Sequence, residues 1–503
     1  MNRSNVFRKY TDSETFERIV DYGSITEMWS ASVSSAPNSV AVIDDGIEYT
    51  YAKLDDDVAH ARALLKEHGL RPNDCVGLYI PNSYDFIKTY LAVTTIGCVA
   101  VLLPPHLDSM ALLGCSIKFG LKALVYFPKL ADKLNIVKTQ NSQLLLISSA
   151  DDSQNRVDAV PVSPNTLSTV LFTGGTTGKS KGARLSHRAI MLGTKNGCYG
   201  YRDVFGQRYL LVLPLTHVFG LIRNLLTAFY TRSSIFICRN NKDMFRDIAM
   251  YKPTILVLVP ALAEMALNLS KQFGRNMLGA DMKYIICGAA AVSPYLVKEY
   301  KALGISLFPG YGLTESANLV SGNPEADRKP DSVGYIYPGM EWRIVDGELW
   351  LKGDNMMDGY VGDADNELAY ADGDWFKTGD LVRIDDEGFL YITGRIKEII
   401  VLPSGENISP ADIESKFYAM DTVQDCLVYD DNGSLTVEIL PRATSIKANK
   451  IADVESHMKE ITARINESLP SFARITRTVV RNTDFVRSPS MKIIRGQNGN
   501  VEK

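Results

Sequence analysis

The stretch LFTGGTTGKSKGARLSH, residues 171–187, decides how this chain is read. Ahead of it, 167–172 is a short run rich in β-branched and apolar residues, the pattern of a buried strand. Three glycines and three threonines then fill Thr173, Gly174, Gly175, Thr176, Thr177 and Gly178, so backbone N–H groups and hydroxyls can close on phosphate oxygens. Lys179 and Lys181 add positive charge. Behind the loop, 181–185 reads as a second strand, and Ser186 and His187 open a helix. The segment falls short of the P-loop pattern G-x-x-x-x-G-K-[ST]: Thr173 stands where the first glycine belongs, and a P-loop helix starts at the lysine, here Lys179. Taken alone it also fits a flexible turn.

Outward from this loop the chain alternates helix and strand signals. Leu54, Val58, Ala61, Leu64, Leu65 and His68 lie at helical spacing, and 76–80, 234–238, 255–259 and 284–287 are short apolar runs between polar helical stretches. The expected fold is an α/β large N-terminal domain with mostly parallel sheets, whose ligands bind beyond the carboxyl ends of the strands. Segments 381–384 and 389–393 flank the turn Asp385-Asp-Glu-Gly388 and read as a hairpin closing that domain. Ser409-Pro410 then reads as a helix N-cap and first position, followed by strands at 424–429 and 435–440 and an amphipathic helix marked by Ile451, Val454, Met458, Ile461, Ile465 and Leu469. The expected division is a large domain over 1–394, a hinge at 395–398 and a small α+β domain over 399–503.

The 503 residues carry 54 Lys+Arg and 58 Asp+Glu, a net charge of −4, with 46% hydrophobic residues. Dispersed, nearly balanced charge argues against a nucleic-acid binder or a polybasic membrane anchor. The seven cysteines (75, 98, 115, 198, 238, 287 and 426) form no CxxC pair and no metal-ligand spacing, as suits a reduced, cytoplasmic protein. The first residues lack an apolar signal region, and the uncharged run 89–105 is too short for an integral membrane segment; it reads as a buried helix leading into a core strand.

Five further segments extend the reading: Pro214-Leu-Thr-His-Val-Phe-Gly-Leu221, Tyr311-Gly-Leu-Thr-Glu-Ser316, Thr378-Gly-Asp380, Gly394-Arg-Ile-Lys397 and Ser490-Met-Lys492. With 172–182 they resemble, in order, the motifs of the acyl-adenylate-forming enzymes, which include acyl-CoA synthetases, adenylation domains of peptide synthetases and luciferases. With Thr50-Tyr51, similar to an early strand of the family, the match runs from about Thr50 to Arg495. The Gly174-Gly175 pair resembles the fatty-acyl-CoA branch. Two departures are Gly174 in place of Ser, which removes a hydroxyl, and Ser180 where most members have Pro.

The resemblance implies a two-step reaction. A carboxylate attacks the α-phosphate of Mg-ATP to give acyl-AMP and pyrophosphate, then the thiol of CoA displaces AMP. In an alternative the acceptor is a carrier-protein pantetheine. Lys492 would bridge the carboxylate and α-phosphate, Thr314 would touch the α-phosphate, and Glu315 would hold Mg²⁺. His217 would sit at the acyl-carboxylate mouth. No Asp follows it, which disfavours an amino-acid substrate, and the apolar segments 218–226, 286–292 and 313–319 would line a pocket for a fatty or aryl acid. Besides 173–178 and Lys181, nucleotide contacts would come from Gly288, Ala289 and Ala290 beside adenine, Tyr311 stacking on it, Gly312, Asp380 on the ribose hydroxyls, and Arg395. Lys397 would be the hinge, and Gly405 and Glu406 would line the CoA tunnel after the small, mobile domain turns. The rivals are a P-loop NTPase, whose product would be ADP, and a nucleotide-binding protein without turnover.

Overall fold

The computed structural model describes residues 4–173, 181–362, 364–402, 406–431, 433–488 and 491–498, with the side chains of 4, 5, 364 and 365 left aside. Two large sheets form the bulk of it. One runs in the order Leu145–Ser148, Ala123–Tyr126, Cys75–Tyr79, Val99–Leu102, Leu167–Thr173, Lys181–Ser186, and only the last pair is antiparallel. The other centres on the parallel strands Ser306–Leu313, Tyr284–Cys287, Ile255–Leu258, Arg208–Leu211, Ser234–Ile237 and Val40–Asp44, with antiparallel strands at both edges.

These strands read as continuous apolar runs because both faces are covered. In Val99–Leu102 the pleat sends Ala100 and Leu102 into the core shared with the second sheet, and Val99 and Val101 into a separate cluster on the outer face. The uncharged run 89–105 is the end of the buried helix Tyr84–Thr95 and the strand after it. Its threonines cost little there, since Thr94 and Thr95 donate their hydroxyls to the carbonyls of Tyr90 and Leu91. Ser186 caps the helix His187–Asn196 by accepting the Ala189 N–H at 3.2 Å.

Four details depart from the sequence reading. Thr50 ends the strand Ile47–Thr50 and caps the helix Tyr51–Glu67, so Tyr51 is helical. The strand expected at 381–384 starts six residues earlier, as Trp375–Ile384, so Thr378-Gly-Asp380 lies within it and Asp380 pairs in register with Arg395 on Leu390–Arg395. Ser409 precedes the helix Pro410–Tyr418 but does not cap it: its hydroxyl donates to the Thr393 carbonyl at 2.6 Å, tying the small domain to the last strand of the large one. The segment Phe219–Leu226 is a π-helix, which apolar spacing does not reveal.

After the 3₁₀ turn Ile396–Glu398 the chain builds its own core. Ile408, Ile413, Phe417, Val437, Met458 and Ile465 pack among the helices Pro410–Tyr418 and Val454–Glu467 and a sheet of Val423–Asp431, Ser434–Pro441 and Arg477–Val480. Ile451 and Leu469 flank the second helix.

Candidate active site

A cavity of about 1650 Å³ opens between the strand ends of the large domain and the small domain. Its wall includes Thr173, Lys181, His217, Gly288, Ala289, Tyr311, Gly312, Thr314, Glu315, Asp380, Arg395, Lys397 and Lys492. Ala290 and Glu406 are not on that wall. Gly174, Gly175, Thr176, Thr177, Gly178 and Gly405 lie outside the described residues. Of the expected acid-pocket segments, 218–220, 286–289, 313–315 and 318–319 reach the cavity, whereas 221–226 are buried behind it.

Strand pairing builds the centre of the site. Cross-strand neighbours Asp380 and Arg395 close an ion pair of 2.8 Å from Nε to Oδ1, and the Tyr311 hydroxyl donates to Oδ2 at 2.5 Å. Asp380 is 1% exposed, and burial pushes its carboxyl upward against the pull of Arg395. The bend before it is held by Glu348, whose Oε1 accepts the Gly379 N–H at 2.7 Å. The Tyr311 phenol is therefore anchored at its hydroxyl, and the residue lines the cavity.

Gly312 is required by a close approach: a Cβ there would lie 1.4 Å from the Asn318 carbonyl oxygen. Gly312→Ala is expected to cost about 2 kcal/mol or more by overpacking against backbone, read by thermal unfolding. An unchanged transition would mean that the strand can move away from Asn318.

Beyond Gly312, the 3₁₀ turn Thr314–Ser316 presents Thr314 and Glu315. The Tyr360 hydroxyl donates to Glu315 Oε1 at 2.5 Å, and Lys181 Nζ sits 4.8 Å from the Tyr360 ring centroid. Among the described residues no cluster of three metal-ligating side chains occurs. A lone carboxylate still suits Mg²⁺, which keeps its waters and binds through one or two carboxylates plus substrate phosphates.

Lys492 enters from the small domain. The Ser488 N–H donates to the Lys492 carbonyl at 2.8 Å, the Met491 N–H donates to the Ser488 carbonyl, and Met491 adopts φ +63°. Met491 packs against the large-domain core, and the lysine projects into the cavity. Burial and the charge of Arg395 lower its pKa, while Asp380 and Glu315 support the ammonium. His217 faces it: burial and the nearby Lys492 charge hold the imidazole below its ordinary value, so it is neutral at neutral pH. Lys397 is exposed on the 3₁₀ turn, beside Glu398, which pairs with Arg495 at 3.0 Å.

Among the cavity residues that sequence reading does not single out, three bond to the site's own elements. Asn82 clamps the turn before His217, donating to the Leu213 carbonyl at 2.8 Å and accepting the Leu215 N–H at 2.9 Å. Glu348 and Tyr360 complete the set. A tyrosine between glycines, Gly359-Tyr-Val-Gly362, is the one local signal; nothing near Asn82 or Glu348 points across the chain to their partners.

Comparison with known proteins agrees with this geometry. The family model described as AMP-binding enzyme matches residues 29–361, and the AMP-binding enzyme C-terminal domain model matches 397–500. The chain therefore belongs to the AMP-binding enzymes, the acyl-adenylate-forming superfamily, and is an acid–thiol ligase that uses ATP. It is 28% identical over 498 residues to Peroxisomal OPC-8:0-CoA ligase 1 of Arabidopsis thaliana, covering 91% of this chain and 89% of that one. It is 30% identical over 315 residues to Long-chain-fatty-acid–CoA ligase FadD15 of Mycobacterium bovis, covering 52% of each. In fold it is similar, with a TM-score of 0.83 at 19% identity over 94% of this chain and 96% of the other, to the anthranilate CoA ligase AuaEII, solved in complex with anthranoyl-AMP. Among the described residues no helix is long and apolar enough to cross a membrane.

Proposed function

We propose that this enzyme activates a fatty or aryl carboxylic acid with Mg-ATP, releasing pyrophosphate, and then transfers the acyl group to the thiol of CoA. The observation that carries the reading is the convergence of Lys492 with Asp380, Arg395, Glu315 and His217 on one cavity, although they lie on two domains.

In the first half-reaction a carboxylate oxygen attacks the α-phosphorus, and the charge that builds there meets the Lys492 ammonium and the Thr314 hydroxyl. Asp380 accepts the ribose hydroxyls through lone pairs left over from Tyr311 and Arg395. Adenine lies between the Tyr311 ring and the backbone at Gly288 and Ala289. Glu315 would hold Mg²⁺, which supplies charge neutralisation on the phosphates. Neutral His217 borders the acid carboxylate without adding a second cation. For the thioester step the small domain turns about Lys397, and Gly405 and Glu406 come to the thiol's path. A second reading keeps the first half-reaction and hands the acyl group to a carrier-protein pantetheine. It shares every residue, and only the acceptor separates the two.

The test is mass spectrometry of products from Mg-ATP, CoA and a panel of fatty, aryl and short-chain acids. AMP with an acyl-CoA is the expected result. AMP and acyl-AMP without thioester would favour the carrier protein, and ADP, or no AMP with any acid, would overturn the proposal.

A further inference from the structure

Among the described residues two arginines are 1% exposed or less, and they are provided for differently. Arg442 has the carboxylate of Glu264. Arg223, on the π-helix Phe219–Leu226 that begins two residues after His217, has no carboxylate within ion-pair distance among the described residues. Its Nη2 donates to the Tyr201 hydroxyl at 2.8 Å, and its Nη1 is buried without a partner. The Tyr209 hydroxyl is buried beside this guanidinium and likewise makes no hydrogen bond of good geometry.

Such a group is expensive. A guanidinium cannot shed its proton in a protein, and burying it without a counter-charge forfeits hydration that one phenol oxygen cannot replace. Its place in the fold suggests what completes it. Arg223 lines a small inner cavity of about 20 Å³, enough for one water-sized atom, together with Tyr201, Phe308 and Tyr337. That cavity and the large one share three wall residues, Ile286, Gly310 and Leu319. The partition is one residue thick, and at Gly310 it carries no side chain. π-Helical turns, moreover, concentrate at functional sites.

We propose that Arg223 is the recognition group at the far end of the acid pocket, binding an oxygen acceptor, anionic by preference, on the tail of the acid. The substrate class is then a fatty or aryl acid with a second carboxylate, or an oxo or hydroxyl oxygen, remote from the carboxyl that is adenylated. The tail passes between Ile286 and Leu319, and its terminal oxygen takes the place of a water at Nη1. This inference rests on the acid-activation reading above and narrows it.

The test compares matched acids on the full-length enzyme: unsubstituted alkanoates, their ω-hydroxy derivatives and the α,ω-dicarboxylates over a series of chain lengths, followed by AMP release. At one length or more the dicarboxylate or ω-hydroxy acid is expected to exceed the plain acid in kcat/KM by about tenfold or more, as a site built to bond an oxygen discriminates against its absence. In Arg223→Met that ratio should collapse, and Arg223→Lys should retain part of it. If Arg223→Met does not fold, the wild-type ratio decides by itself, supported by a larger Tm rise with the dicarboxylate than with the alkanoate. A wild-type preference for plain acids at every length, or a parallel loss of both acids in Arg223→Met with an unchanged ratio, would overturn the inference while leaving acid activation intact. Absence of AMP with every acid would instead remove the function on which it rests.

Discussion

Lys492→Ala is expected to lower acyl-adenylate formation on the order of a hundredfold or more, as loss of a single charged transition-state contact does, and to leave thioester formation from preformed acyl-AMP close to wild type. The expectation follows from where the side chain is and how it is held. The Ser488–Lys492 backbone bond and the packing of Met491 fix the backbone at Lys492, so the ammonium needs little reorganisation to meet charge developing in the cavity. Because the residue arrives on the small domain, its contribution lasts only while that domain keeps the present orientation. Lys492→Arg should restore little, since a planar guanidinium cannot replace a compact point charge. ATP–pyrophosphate exchange measures the first step, and single turnover of synthetic acyl-AMP with CoA measures the second. Equal losses in both would mean that Lys492 acts on structure and not on the adenylation step.

The second large effect concerns what holds the small domain there. Arg442, fully buried at the domain boundary, places Nε 2.7 Å and Nη2 3.3 Å from the two oxygens of Glu264 on the large-domain helix Pro260–Phe273, and its guanidinium lies 3.7 Å from the Tyr295 ring centroid. Around it the Thr444 hydroxyl donates to Asn268 at 3.0 Å and the Ser293 hydroxyl donates to the Tyr418 carbonyl at 2.8 Å. Glu264→Gln leaves a buried guanidinium facing an amide, and Arg442→Met leaves a buried carboxylate with no cation. Either is expected to cost about 3–5 kcal/mol, whereas the double variant Glu264→Met/Arg442→Met should recover most of the loss, because removing both charges removes the desolvation penalty with them. Thermal unfolding of the singles and the double gives the coupling energy directly. Limited proteolysis near 395–410 should show the small domain released in the singles. A double variant as unstable as the sum of the two singles would show that the charges do not act as a pair.

Sequence and tertiary structure divided the work along a physical line. The alternating strands and helices, the strand after the phosphate loop and the helix opened at Ser186 were legible because each depends on neighbours a few residues away: apolar runs covered on both faces, a serine positioned to cap. The residues of the site were legible by type, since Thr173, Glu315, Asp380 and Lys492 stand in short motifs that resemble, in order, those of one enzyme family. Their partners were not. Asp380 belongs with Arg395 because two strands pair in one register, Glu315 with Tyr360 because a loop 45 positions on returns to it, and Ser409, an expected helix cap, donates instead to the Thr393 carbonyl that the fold brings beside it. The uncompensated charge of Arg223 and the sealed pair of Arg442 with Glu264 are likewise facts of burial, and burial depends on every element that closes over a residue. The sequence by itself determined the class of fold and the residue types carried to the cavity; only the tertiary structure decided which charges meet, which are left over, and on which domain Lys492 arrives.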